Sequence, residues 1–364
     1  MPTTGSLYVH LPLCSRKCDY CHFYVVPDKQ IFRDKLVRGL ASEWDLIKNN
    51  FEEKEIPSIY FGGGTPSLMP PEFFAQFLAK CIYPKAEITL EVNPETVSLE
   101  KMILFRQAGI NRVSLGLQSL DDGELATLSR RHSSRAAIQA VQTCRQAGFE
   151  NITIDLMYDT PGQTIASWKR TLAEAIQLPI THLSLYNLTF EPHTIFFKKK
   201  TRLEKLLPPE ETTVVMYEMA QEMLDKAGLQ QYEISAFCRE GFAAKHNSGY
   251  WNGTPFWGMG PSAFSFWEGS RFRNISHLGK WFDAVQKGLS PVDFKEKLET
   301  EASFRERFVI RLRLLAGVKG PIPTSCRDEV ERLLLEGFLQ RSDERIALTQ
   351  KGVLFYDRVA ADLI

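Results

Sequence analysis

The sequence predicts an α/β fold, a partial (β/α)6 barrel, followed by a C-terminal α+β unit that looks like a winged helix. Three observations carry this expectation. Six β-branched or aromatic runs alternate with helical patterns through the first half of the chain. The interval of roughly 30 to 50 residues per unit is long enough for a strand, a helix and a right-handed return. Polar and glycine-rich residues gather where the runs end, the side on which parallel α/β sheets concentrate their chemistry.

The strands are expected at 6–11, 58–61, 87–92, 112–117, 152–158 and 182–188. Helical patterns fill the intervals at 32–49, 71–80, 99–108, 135–147 and 164–177, so the strands must run parallel with helices outside. A further helix is expected over 208–228. From about residue 301 the order is helix, helix, a hairpin in FLQRSDERIALT and a last helix, the order of a winged helix. The expected organisation is a core over 1–200, an extension lobe over 201–300 and the winged-helix-like unit over 301–364.

Composition limits the partners. The 364 residues balance 44 Lys and Arg against 44 Asp and Glu, so no global field attracts nucleic acid or an anionic membrane. The opening MPTTGSLYVHLPLC lacks the basic and apolar regions of a secretory signal, and no apolar run reaches the roughly 20 residues of a membrane helix. Seven cysteines, an odd number in a long chain, do not suggest a disulfide framework. A reducing cytoplasm is the expected location.

The unusual residues sit at the strand ends. The first strand leads into Cys14, Cys18 and Cys21, the second into Gly62-Gly63-Gly64-Thr65-Pro66. The third carries Glu91 and ends in Asn93, the fourth ends in Gln118-Ser119, and the fifth holds Asp155 inside an apolar run. Buried polar groups are costly unless paired, so several on one rim predict a site. Three thiolates in CxxxCxxC spacing can wrap one soft metal centre, and three ligands on a four-iron cluster leave one iron open. A structural zinc with His22 or His10 as fourth ligand is the alternative, although zinc more often uses two cysteine pairs across a longer spacer. The glycines at 62–64 remove side chains where backbone must approach a ligand.

CxxxCxxC after the first strand, GGGTP after the second and an acid on the third together resemble the radical S-adenosylmethionine (SAM) superfamily. The wider strings YFGGGTPSLM, LEVNPET, GLQSLDDGEL, LSRRH and IDLMYDTPGQT resemble one branch of it. That branch holds oxygen-independent coproporphyrinogen III oxidase and the HemW-type haem chaperones. The resemblance runs from Leu7 to about Phe266. It implies a [4Fe-4S] cluster on Cys14, Cys18 and Cys21, with SAM chelating the open iron. It also implies a SAM pocket of Tyr8, Tyr20, Gly63, Gly64, Thr65, Glu91, Gln118, Arg130 and Asp155. Glu91 suits an ammonium and Arg130 a carboxylate. No catalytic residue is assigned.

Within the branch, the oxidases carry a further cysteine two residues after the third ligand, where this chain has Phe23, and a longer segment before the cluster. Both differences point to the chaperones, as does His246-Asn247-Ser248-Gly249-Tyr250-Trp251, which matches their HNxxYW motif. The resemblance therefore implies bound haem, His246 as its imidazole ligand, an acceptor protein for the haem and an electron donor. Two departures stand out: MYDTPGQT lacks the usual Gly-Leu before Pro-Gly, and Phe264 occupies a position where the chaperones place histidine. The other cysteines, Cys81, Cys144, Cys238 and Cys326, lack ligand spacing.

Overall fold

Alternation along the first six strands decides how the chain folds. In the computed structural model, which describes residues 4–52, 54–81 and 85–364, β1 (Ser6–Leu11), β2 (Ser58–Gly63), β3 (Glu87–Val92), β4 (Arg112–Gln118), β5 (Asn151–Tyr158) and β6 (His182–Asn187) lie side by side in chain order. Every neighbouring pair is parallel. Side chains alternate between faces with period two. One set, including Leu7, Val9, Ile59, Phe61, Leu90 and Leu115, is buried in the main core. The helices α1 (Gln30–Ile47), α2 (Pro71–Leu78), α3 (Leu99–Gln107), α4 (Ser134–Gln146) and α5 (Ile165–Ala175) contribute Leu40, Phe74, Phe105, Val141 and Trp168 to the same core. The intervening set faces the concave side and is polar: Tyr8 and His10, Tyr60, Thr89 and Glu91, Arg112 and Ser114, Thr153 and Asp155, Ser184 and Tyr186.

The bounds of β1 and β3 match the sequence expectation, and β2 runs two residues further. Gly62 and Gly63 still pair with His10 and Leu11, so the glycines that announced a loop begin inside the ladder.

The expected lobe over 201–300 adds to both edges of this sheet. After α6 (Glu210–Lys226), β7 (Gln230–Glu233) and β8 (Ala236–Cys238) extend it antiparallel beyond β6. Helix α7 (Lys245–Asn252) then carries the chain to the other edge, where β9 (Phe256–Met259) runs parallel to β1. Strands β10 (Phe264–Trp267), β11 (Ser270–Asn274) and, after α8 (Leu278–Gln286), β12 (Val292–Lys297) complete twelve strands. The sheet is open, with β12 and β7 at its edges. Buried Glu43 on α1 ties the β9 end in place by accepting from Gly260 N–H at 2.8 Å, Asn274 Nδ2 at 2.6 Å and Trp281 Nε1 at 3.1 Å.

The last segment comprises α9 (Thr300–Arg311), β13 (Val318–Lys319), α10 (Arg327–Leu335), the hairpin β14 (Leu339–Ser342) and β15 (Arg345–Leu348), and α11 (Tyr356–Leu363). The two-residue strand β13, which pairs with β15, and the short helices Thr324–Cys326 and Gln350–Leu354 were not legible as separate elements. Phe308, Leu312, Val330, Leu333 and Leu348 form a second core here. It is attached to β7 through Ile234 N–H to Arg313 O and Leu315 N–H to Tyr232 O, both 3.1 Å. No helix among the described residues is long and apolar enough to cross a membrane.

Candidate functional site

At the C-terminal ends of β1–β6 the sheet opens into a cavity of about 360 Å³. Cys14, Cys18, Cys21, Tyr20, Gly63, Gly64, Thr65, Glu91, Gln118, Arg130 and Asp155 all line it. Eleven residues expected from six separate stretches of sequence thus line one cavity.

The cysteine loop is held at both ends. Leu13–Cys14 pairs with Val26–Pro27, Cys21 N–H donates to Cys18 O at 3.1 Å, and Asp19 N–H donates to Ser129 Oγ at 2.9 Å. The GGGTP segment braces it from below. Gly64 N–H donates to Leu11 O at 3.0 Å and Thr65 N–H to Leu13 O at 2.7 Å. A Cβ on Gly64 would lie 2.4 Å from the Leu13 carbonyl oxygen, so only glycine permits this approach. Gly63 has φ +117, and a Cβ there would meet the His10 ring at 2.6 Å.

One polar chain wraps the thiols. Arg130 donates from Nη1 to Cys18 Sγ at 3.5 Å and from Nη2 to Asn93 Oδ1 at 2.9 Å and Gly116 O at 2.8 Å. Asn93 Nδ2 donates to Thr65 Oγ1 at 2.9 Å, and Thr65 Oγ1 lies 3.5 Å from Cys14 Sγ. Asn93 is therefore the hub that sequence reading left out of the site. Its place just after β3 was the available signal. Gln118 reaches the cavity from a bulged strand end with φ +70, a strained conformation for a side-chain-bearing residue.

The two acids lie deeper. Glu91 accepts from Tyr60 Oη at 2.8 Å and from Gly63 N–H at 3.0 Å. Burial, reinforced by the nearby Asp155 charge, pushes its carboxyl up to about 7 despite those donors. Asp155 accepts from Ser114 Oγ at 3.3 Å, and burial pushes it up to about 6 against Ser184, Ser114 and the Arg112 and Arg130 charges. Two buried carboxyls held this far above their usual range favour a cationic ligand, which relieves the cost of ionising them.

Outside the cavity, buried Glu124 explains two motifs. It accepts from Ser119 Oγ at 2.6 Å, Gln163 Nε2 at 3.1 Å and Ser167 Oγ at 2.6 Å, joining GLQSLDDGEL to PGQT.

Two expected residues lie elsewhere. Tyr8 is not among the lining residues; its hydroxyl is 2.9 Å from His10 Nδ1, and its ring stacks on Tyr60 below the cavity. His246 is 2 % exposed at the opposite end of the barrel, beside Ser58 and Glu87 at the starts of β2 and β3. Ser58 gives its proton to Ser6 Oγ, so Nδ1–H of His246 donates to Ser58 Oγ at 2.9 Å and Nε2 accepts from Tyr250 Oη at 2.8 Å. With both ring nitrogens engaged and the ring stacked on Tyr60 at 5.0 Å, it has no lone pair to offer iron. Burial lowers its pKa to about 3, which keeps it neutral. The structure thus places the expected haem ligand His246 away from the cavity, with HNSGYW packed against the floor of the barrel. Trp251 of that segment receives the Arg313 guanidinium at 4.3 Å, extending the packing to the C-terminal unit. Phe264 is exposed on β10 beneath Arg273 and does not line the cavity.

The chain matches the model of the Radical SAM superfamily over residues 8–175. It is 32% identical to heme chaperone HemW of Mycobacterium tuberculosis (strain CDC 1551 / Oshkosh), over 98% of this chain and 94% of that protein. The chain belongs to the HemW family of radical SAM proteins. A second HemW, from Bacillus subtilis (strain 168), is 29% identical over 97% of each chain. The solved structure of coproporphyrinogen III oxidase (HemN) from Escherichia coli superposes with a TM-score of 0.86 at 22% identity, covering 99% of this chain and 90% of that one, a likeness of fold.

HemW-family membership implies a [4Fe-4S] cluster and SAM, and the site fits both. Burial raises the Cys14 and Cys21 thiols, so without metal they stay protonated and a soft metal must draw the protons off. Among the described residues no three His, Cys, Asp or Glu side chains are drawn together tightly enough to be a metal site on geometry alone. The fit rests instead on three thiols of one loop facing one cavity, beside a guanidinium whose Nε is buried without a partner. The buried acids and the side-chain-free glycine edge suit a cationic ligand such as SAM.

Proposed function

We propose that the chain is a haem chaperone that carries a SAM-bound [4Fe-4S] cluster, binds haem and passes it to an acceptor protein. One observation carries the reading. The likeness to HemW proteins runs the length of the chain, through the segments after residue 175 that the radical SAM model does not cover. Cys14, Cys18 and Cys21 would hold the cluster; Gly63, Gly64, Thr65, Glu91, Gln118, Arg130 and Asp155 would hold SAM, with Tyr20 beside the cluster and Tyr8 supporting from the layer below. Glu91 and Asp155 would meet the cationic end of SAM, and Arg130 would hold its carboxylate while donating to Cys18. When bound, the cluster supplies one-electron chemistry, which requires an electron donor. A reducing cytoplasm would keep the thiols available.

The test is a haem titration of the anaerobically reconstituted chain, run beside an assay with coproporphyrinogen III, SAM and reductant. Saturable haem binding with a shifted Soret band and no protoporphyrinogen is expected. SAM-dependent decarboxylation would make the chain an oxidase instead.

A further inference from the structure

The chain has seven histidines, and the structure sorts them sharply. His10, His132, His182 and His246 are buried. His10 meets Tyr8 Oη and the Tyr24 carbonyl, His132 the Leu117 carbonyl, His182 the Tyr232 hydroxyl, and His246 both Ser58 and Tyr250. Of the exposed three, His193 and His277 lie off the cavity, and His277 caps α8 by accepting from Lys280 N–H. His22 alone is both exposed and part of the cavity wall, immediately after Cys21.

Its surroundings suit a flat, apolar dianion. Phe23 is 53 % exposed, its ring centroid 4.7 Å from that of His22. Lys17 Nζ donates to the Phe23 carbonyl at 2.9 Å, which fixes this turn in place. Arg16 and Arg131, on the same rim, are exposed and have no carboxylate partner among the described residues. The imidazole of His22 likewise has no hydrogen-bond partner among the described residues.

We propose that His22 is the axial ligand of haem iron at the mouth of the cavity, with Phe23 packed on the porphyrin and Arg16 and Arg131 facing its propionates. This rests on the haem-chaperone reading and goes beyond it by naming the ligand. An imidazole is a common axial ligand, and an aromatic ring on the porphyrin face adds apolar burial. An exposed single ligand also suits transfer. The second axial face stays open to the acceptor's own ligand, and no buried group has to be extracted for the haem to leave.

The test uses the full chain, reconstituted anaerobically and titrated with haemin, with iron content measured in every variant. His22→Ala should weaken haem binding by about tenfold or more and abolish the spectral shift of imidazole ligation. Free imidazole should restore that spectrum. Arg16→Glu with Arg131→Glu should weaken binding while keeping the ligand signature. Because His22 adjoins Cys21, the same comparison is repeated in a Cys14→Ser, Cys18→Ser, Cys21→Ser chain, where cluster loss cannot contribute. An unchanged affinity and spectrum in His22→Ala, in either background, overturns the proposal. Wild-type chain that takes up no haem overturns the chaperone reading itself.

Discussion

Replacing His246 by alanine should loosen the fold and leave the haem spectrum alone. The side chain makes two buried hydrogen bonds, to Ser58 and Tyr250, and packs against Tyr60. Each bond contributes about 1 kcal/mol, and orphaning a buried Tyr250 hydroxyl raises the loss. The void left by an imidazole adds about 1–2 kcal/mol. The sum is about 3–5 kcal/mol, large against ordinary folding stabilities. Its pH dependence has a definite sign. Burial lowers the His246 pKa from 6.5 to about 3, so the unfolded chain takes the proton first. The wild-type advantage is therefore full above the unfolded value and shrinks as pH falls towards the folded one. Urea unfolding of wild type, His246→Ala and the partly rescuing His246→Asn, at neutral and mildly acidic pH, reads both effects. Unchanged unfolding together with a collapsed haem spectrum would refute the structural reading and return His246 to the haem site.

Three further outcomes follow from the cavity. Gly64→Ala should cost most of the iron loading, because its Cβ would meet the Leu13 carbonyl at 2.4 Å and push the cysteine loop away; iron analysis after reconstitution reads this. Arg130→Met removes the donor to Cys18 and Asn93 and should lower both iron content and SAM affinity, measured by equilibrium dialysis. Glu91→Gln should become the more stable protein as pH rises. The carboxyl is neutral in the fold up to about 7 against 4.5 unfolded, so its burial cost appears as pH climbs through that window, on the order of 3 kcal/mol in all. Parallel denaturation of wild type and variant at pH 5 and 8 checks the crossover, and SAM binding should weaken in the variant.

The rim of the site was legible because its residues break local rules. Glu91 and Asp155 are acids inside apolar strands, and Gly62-Gly63-Gly64 and the cysteine triplet interrupt the pattern where strands end. What was not legible depends on contacts across long stretches of chain. Asn93 links Arg130 to Thr65, and neither partner is a neighbour in sequence. Glu124 gathers donors from Ser119, Gln163 and Ser167, so its burial on a short acidic helix could not be read locally. The place of His246 was hidden for the same reason. HNSGYW announces aromatics beside an imidazole, but only the fold shows α7 inserting that imidazole next to Ser58, at the end of the barrel away from the cysteines. Tyr8 illustrates register: strand β1 aims it inward, one layer short of the cavity.

The account is tested most directly by asking whether one chain holds cluster and haem together. The chain is reconstituted anaerobically, its iron counted, and the EPR signal of the reduced cluster recorded with and without SAM, then again after haem saturation. About four non-haem irons, a signal that responds to SAM and one added haem per chain are predicted, with the cluster signal surviving haem loading. Haem uptake only at the expense of the cluster, or tightly bound zinc with no iron uptake, would contradict it.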